Sequence, residues 1–212
     1  HRFVNELDAS ARERLAARLE SRARDDVFTR LLDNYVARLA LPPRAQVLEV
    51  GCGTGVVLRT LARRDDFTGR ALGVDQCGDF IDTASRLSRE EQVDSRIAFR
   101  VGDAHGLDLP AASFDAVIAH TLISHVTDPL AVLGEMTRLV RPGGTVVIFD
   151  GDYASLTYGY PDHDFGRLVD EALTNVTFNN PRIMRDLPRL LPGLGLKLAE
   201  AWGDAVIEIG HA

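Results

Sequence analysis

The stretch Val47-Leu48-Glu49-Val50-Gly51-Cys52-Gly53-Thr54-Gly55 constrains this 212-residue chain more than any other. Residues of strand character run into three glycines at alternate positions, and Val56-Val57-Leu58 with Leu61-Ala62 then opens a helical pattern. A strand turned sharply into a helix through glycines is a nucleotide-type binding loop. The absent side chains let backbone approach a ligand, and the helix N-terminus offers free N–H groups. A dinucleotide site asks for G-x-G-x-x-G or G-x-G-x-x-A. Counting from Gly51, the sixth position is Val56, so that pattern is not met. Glu49 stands instead two residues before Gly51. A carboxylate there repels a pyrophosphate and favours a ligand carrying an ammonium or sulfonium.

From Gln46 onward, strand and helix patterns alternate, which implies parallel strands joined by right-handed crossovers. Strands are expected at 46–50, 71–75, 96–101, 113–119 and 145–149, with a helix over 54–63 and another carrying Phe80, Ile81, Ala84 and Leu87, capped by Asp79. Asp128-Pro129 opens a helix as cap and first-turn proline, with Leu130, Leu133, Met136 and Val140 inward, and Pro142-Gly143-Gly144 is a turn. Ahead of the core, residues 7–41 read as helix. Ser10-Ala11-Arg12-Glu13 is expected as a capping box, and Asp25 or Asp26 caps a second helix with Val27, Phe28, Leu31, Leu32, Tyr35, Val36 and Leu39 on one face. That layer either packs on the sheet or covers the ligand as a flap, with Arg22 or Arg24 reaching a carboxylate of the cofactor. After 153, helical patterns at 165–173 and 183–191 flank the break Asn179-Asn180-Pro181, and two strand-like pieces follow at 196–202 and 205–209. The expected division is 1–45 as a helical cap, 46–150 as a cofactor-binding core, and 151–212 as the acceptor side with the C-terminal part.

Acids recur at strand ends. Asp75 lies 24 residues past Gly51, the offset at which such folds place a carboxylate on a ribose diol. Asp103-Ala104 follows strand three; a carboxylate there suits an exocyclic amine donor. Leu107, Leu109 and Pro110 are expected to form part of an apolar slot beside it. His120 and His125 fall just after the central fourth strand, beside the point where ligands bind in open α/β sheets.

Glu49 with the three glycines resembles motif I of the class I S-adenosylmethionine-dependent methyltransferases, an acid-x-G-x-G-x-G pattern. Asp103-Ala104 and Arg141-Pro142-Gly143-Gly144 are similar to the ubiquinone/menaquinone-type and related small-molecule enzymes of that family. The resemblance covers about residues 46–150. It implies a doubly wound, Rossmann-like α/β fold, a mostly parallel sheet with helices on both faces, an antiparallel C-terminal strand or hairpin, and the N-terminal helical layer. A final strand is expected to be absent from this chain. The resemblance further implies S-adenosylmethionine as cofactor, S-adenosylhomocysteine as product, and a cofactor site of Glu49, Gly51, Cys52, Gly53, Gly55, Asp75, Gln76, Gly102, Asp103, Ala104 and His120. Methyl transfer from a sulfonium is a direct displacement, so alignment is the protein's main task. His120 and His125 are the candidate general bases, with Asp152 and Tyr153 as weaker candidates for orienting the acceptor.

Charge and absences narrow the partners. With 24 basic against 31 acidic residues, the net charge of −7 argues against non-specific binding to nucleic acid or an anionic membrane. No apolar run reaches membrane-span length, and His1-Arg2-Phe3-Val4 has no signal-peptide pattern. The lack of a starting Met implies missing N-terminal residues. Cys52 and Cys77 are expected as reduced thiols of a cytoplasmic protein. Ala119-His120-Thr121-Leu122 lacks the Pro-Pro pattern of nucleobase amino methylases. A catechol-type metal site needs a carboxylate where His120 stands, so no metal is expected. The function expected is methyl transfer to a small, partly apolar metabolite, with a homodimer left open. Two alternatives stand beside it: a catalytically silent, cofactor-binding partner subunit, and a nicotinamide-dependent oxidoreductase.

Overall fold

The computed structural model describes residues 4–206. Its centre is a five-stranded sheet in the order β3-β2-β1-β4-β5. The strands are β1 (Gln46–Val50), β2 (Arg70–Asp75), β3 (Ile97–Val101), β4 (Phe114–His120) and β5 (Val140–Phe149), and every pairing is parallel. The chain winds outward from β1 to β3, then returns to place β4 on the other side of β1. This reversal opens a crevice at the carboxyl ends of β1 and β4. The register of β4 on β5 jumps between Phe114↔Val140 and Ala116↔Thr145, which accommodates the expected Pro142-Gly143-Gly144 turn as a bulge with Gly143 at φ +79°.

Side-chain alternation divides two cores across the sheet. On one face Val47, Ala116 and Ile118 pack against α2 (Asp26–Arg38) and α3 (Val56–Ala62) through Leu32, Tyr35, Val36, Val57, Leu58 and Leu61. On the other, Leu48, Val50, Val117 and Ala119 meet α5 (Pro129–Leu139) and α7 (Ile183–Leu190) through Leu133, Met136, Leu139 and Leu187. The helices α1 (Ala9–Ala23) and α4 (Gly78–Glu90) close the first face, and α6 (His163–Thr177) follows β5.

The cap assignments differ in part. Asp25 caps α2 as expected, accepting from the N–H groups of Val27 and Phe28. The cap of α1 is Asp8, which accepts from Ala11 N–H at 2.7 Å, so Ser10 lies inside the helix. The N-cap of α4 is Cys77, with no side-chain cap bond. Asp79 instead pairs with Arg12 of α1. An acid in the first turn still favours the helix dipole there, and the pair fastens α1 to α4.

The expected antiparallel C-terminal strands are a correction. Residues 196–206 form no strand, while 207–209 of the second piece, like His1, Arg2 and Phe3, lie outside the described residues. After the left-handed Gly195 the chain is drawn toward α2 instead of β5. Glu200 pairs with Arg38, and the Arg38 guanidinium lies 4.5 Å over the Trp202 ring. Among the described residues no helix is long and apolar enough to cross a membrane.

Candidate active site

The crevice at the strand ends is a cleft of about 240 Å³. Its lining brings together Glu49, Gly51, Cys52, Gly53, Asp75, Gln76, Gly102, Asp103, Ala104, His120 and His125, all of the expected site residues except Gly55. The three loop glycines each hold positive φ, at +69°, +52° and +79°, a conformation that costs little only without a Cβ. A Cβ on Gly55 would stand 2.6 Å from Phe99. Gly55 therefore lets the loop enter α3 against the core and does not face the cleft.

Glu49 is 2% exposed on the β1 face that looks toward α2 and α3. Its Oε2 and the Thr54 hydroxyl have no hydrogen-bond partner among the described residues. Burial, with the charge of Asp75 adding to it, pushes the Glu49 carboxyl well above the usual carboxylate range. A buried acceptor without a donor is costly. Both residues line the same cleft, which places an unpartnered acceptor and a hydroxyl side by side for hydrogen bonding.

Asp75 has a double role. Oδ2 accepts from Gly53 N–H at 2.8 Å and Oδ1 from Cys77 N–H at 2.9 Å. Burial raises its carboxyl, and these N–H groups oppose the rise. The side chain thus ties the glycine loop to the start of α4, and each oxygen retains a lone pair for ligand hydroxyls. Asp103 accepts through Oδ1 from both the backbone and the ring of His105, the latter at 2.6 Å. These bonds hold its carboxyl below the usual range, and Oδ2 makes no hydrogen bond among the described residues.

The residues expected to form an apolar slot around the base lie elsewhere. Leu107, Leu109 and Pro110 do not line the cleft; Phe80, Val126 and Thr127 do, near Ala104 and His105. Leu107 is drawn under the sheet because its N–H donates to Glu135 at 2.8 Å and its carbonyl accepts from Arg138 at 3.0 Å. Cys52 and Cys77 are buried, free thiols. Burial holds the Cys52 thiol well above its ordinary value, so it is inert.

At the far end, His120 closes β4. Its Nδ1 lies 2.9 Å from the hydroxyl of Tyr35, and its ring stacks on Phe149 at 4.6 Å between centroids. Thr121, directly after it, holds φ +51°, which is strained for a β-branched residue. Desolvation lowers His120 to about 3, with Arg22 adding to the effect. His125 falls to about 4 for the same leading reason, and its buried Nδ1 has no partner among the described residues. Both imidazoles are neutral at physiological pH. Asp152 and Tyr153 do not line the cleft. Asp152 is bound to Arg185 at 2.9 Å, and Tyr153 stacks on Phe178 at 3.6 Å.

The flap is α1 with the start of α2. Leu19, Arg22, Ala23, Phe28 and Leu32 face the cleft, and Arg24 does not. The helix is fastened at both ends, by Arg12 to Asp79 and by Glu20 to Arg59 of α3 at 2.6 Å. Sequence reasoning also missed the clamp under the 121–127 loop. Asn180 Nδ2 donates to the carbonyls of Ile123 and Val126, Asn179 Nδ2 to that of His125, and Asp150 accepts from Ser124 N–H and Oγ–H at 2.9 Å each. The Asn-Asn-Pro break and the acids after β5 were visible in the sequence, but not what they hold.

Residues 48–148 match the family model described as a methyltransferase domain. The chain is 32% identical over 133 residues to a 27-O-demethylrifamycin SV methyltransferase of Amycolatopsis mediterranei, covering 62% of this chain and 47% of that protein. It is 35% identical over 118 residues to a ubiquinone biosynthesis O-methyltransferase of Xanthomonas campestris, covering 55% and 47%. Among solved structures, a Bacillus halodurans protein named as a methyltransferase superposes with a TM-score of 0.65 over 80% of this chain and 70% of its own, at 20% identity; this likeness speaks to the fold alone. The chain spans about half the length of the curated relatives it matches.

Proposed function

We propose, from the premise that this chain belongs to the methyltransferase family through the domain at residues 48–148, that it transfers a methyl group from S-adenosylmethionine to a small, partly apolar metabolite. The observation that carries the reading is the buried, unpartnered Glu49 Oε2 at the glycine loop. The loop, three acids at successive strand ends and an apolar wall suit a ligand with an amino-acid head, a ribose and an adenine. Glu49 with the glycine loop would take the ammonium of the head. Asp75, beside Gln76, would take the ribose diol. Asp103 Oδ2, with Gly102 and Ala104, would take the adenine edge. When bound, the cofactor supplies an electrophilic methyl on a sulfonium.

The chain's own contribution is alignment and exclusion of water. Leu19, Phe28 and Leu32 of the flap, with Leu122, give the cleft an apolar wall facing both imidazoles. His125 is the candidate base, since its Nδ1 makes no hydrogen bond among the described residues. At a pKa of about 4 it is a weak acceptor of protons. It therefore suits an acceptor acidic in its own right, a phenol or enol, better than an aliphatic alcohol.

Calorimetric titration with S-adenosylhomocysteine, run beside the reduced nicotinamide cofactors, tests the reading. Micromolar binding of the first alone is expected. Tighter binding of a nicotinamide would transfer the site to an oxidoreductase. Binding of S-adenosylhomocysteine without turnover of any quinol, phenol or amine acceptor would support the silent-partner alternative.

A further inference from the structure

The end of β4 carries an arrangement that alignment of a cofactor by acids does not need. Tyr35 of α2 is 2% exposed, and its hydroxyl has one partner among the described residues, His120 Nδ1 at 2.9 Å. The phenol and the imidazole both stack on Phe149, with centroids at 5.4 Å and 4.6 Å. The three rings therefore form one slab whose polar atoms point at each other. His120 lines the cleft. Its Nε2 makes no hydrogen bond among the described residues. The residue after it pays for this placement with a left-handed φ of +51° on a threonine, and strain of that kind collects where a side chain must be aimed.

A buried phenol needs an acceptor for its proton, and among the described residues the atom within reach of the Tyr35 hydroxyl is Nδ1 of His120. A neutral imidazole that accepts at one nitrogen carries its proton on the other. We propose that Tyr35 is a positioning residue that locks His120 in the Nε2–H tautomer, so that His120 offers the cleft a hydrogen-bond donor aimed at a lone-pair oxygen of the bound ligands. This role replaces the general base expected at His120, because the nitrogen facing the ligand has no lone pair to take a proton. The oxygen belongs either to the carboxylate of the cofactor's amino-acid head or to the methyl acceptor. In the second case the donor orients the reacting oxygen and leaves its other lone pair for the methyl. The proposal rests on the methyltransferase reading for the identity of the ligands, but the tautomer lock does not.

Two-bond proton–nitrogen correlation spectra of the uniformly 15N-labelled protein, with His120 assigned from a His120→Gln spectrum, read the tautomer directly. The expected result is pyrrole-type Nε2 and pyridine-type Nδ1 in the parent, and loss of that single-tautomer signature in Tyr35→Phe. The variant keeps the stacked ring, so a purely structural role for Tyr35 would leave the imidazole unchanged. A parent protonated at Nδ1, or an unaltered His120 signature in Tyr35→Phe, overturns the lock. Calorimetry on Tyr35→Phe then assigns the oxygen. A five- to tenfold loss for S-adenosylhomocysteine, absent for its decarboxylated analogue, places the oxygen on the cofactor head. Equal affinity to the parent for both places it on the acceptor. Failure of S-adenosylhomocysteine to bind the parent, with the Nε2–H signature present, would instead remove the methyltransferase reading and leave the lock standing.

Discussion

Replacing Glu49 by Gln should move folding stability and ligand affinity in opposite directions. The carboxyl is buried, one oxygen is unpartnered, and burial followed by the charge of Asp75 raises it well above the ordinary range. Linkage fixes the sign. A carboxyl whose folded pKa exceeds its unfolded value holds its proton in the native state where the unfolded chain has released it. Its contribution to stability is therefore greatest below the ordinary value of about 4.3 and declines as pH rises toward the raised one. Glutamine has the same shape and does not titrate, so the variant escapes the decline. Ligand-free Glu49→Gln should melt at the parent's temperature in acid and at or above it at neutral pH.

Affinity should fall. A carboxylate accepting from an ammonium is a charge-assisted hydrogen bond of about 1.5–3 kcal/mol. Its loss corresponds to roughly 10- to 150-fold weaker binding of S-adenosylhomocysteine. Because the carboxyl must release its proton to pair with an ammonium, parent affinity should rise as pH climbs from the ordinary carboxylate range toward the raised one, while the variant's stays flat. Calorimetry across that range, with thermal melts on the same samples, reads all of these effects. Unchanged or tighter binding by Glu49→Gln would refute the assignment of Glu49 to a cationic head group.

Asp75→Ala should weaken both properties, because Gly53 and Cys77 lose the acceptor that joins the glycine loop to α4. A loss of about 1.5–3 kcal/mol in affinity is expected, with a lower melting temperature beside it, read by calorimetry and a thermal melt. Arg59→Leu removes a guanidinium only 4% exposed that holds Glu20 and Glu91. The expected cost is about 1–3 kcal/mol, at roughly 2–4 °C of melting temperature per kcal/mol for a chain of this size. Affinity should fall with it because α1 carries Leu19 and Arg22 over the cleft, and a double-mutant cycle with Glu20→Gln should show coupling. Asn180→Ala strips donors from the carbonyls of Ile123 and Val126. Limited proteolysis within residues 121–127 should accelerate, while affinity for S-adenosylhomocysteine changes less than in Asp75→Ala.

What the sequence made legible is what local chemistry encodes. Hydrophobic period placed β1 at its observed bounds and the other core elements near theirs, because each strand or helix writes its pattern into consecutive residues. The exception is β5, which begins at Val140, five residues before the expected start and through the expected turn. The acids at strand ends were legible for a related reason. In a parallel sheet every strand delivers its last residue to the same edge, so Glu49, Asp75, Asp103 and His120 share a cleft once the strands are correctly cut. Leu107 was misplaced because a residue after a strand can turn to either side, and the choice lay with Glu135 and Arg138, some thirty residues away. The C-terminal pieces misled because apolar alternation shows only that a strand could form. Whether one does depends on a free sheet edge, and here Arg38 holds the segment elsewhere.

The contacts that decide how the cleft works are the ones with no local signature. Tyr35 reads as one more residue of an apolar helical stripe, yet its hydroxyl meets a histidine 85 positions later. Asn180 reads as a helix breaker, yet it supports a loop more than fifty positions earlier. Each is a polar tip on an element otherwise specified by burial. A buried polar group must find a partner or forfeit about 1–3 kcal/mol, so such tips mark where the fold has been fixed by something besides packing. Applied to this cleft, the same criterion separates its groups into two sets. Tyr35, Asp75, Asp150 and Asn180 have their partners within the chain and set its shape. Glu49 Oε2, Thr54 Oγ and His125 Nδ1 have none among the described residues, and under the proposed function they are the atoms a ligand would engage.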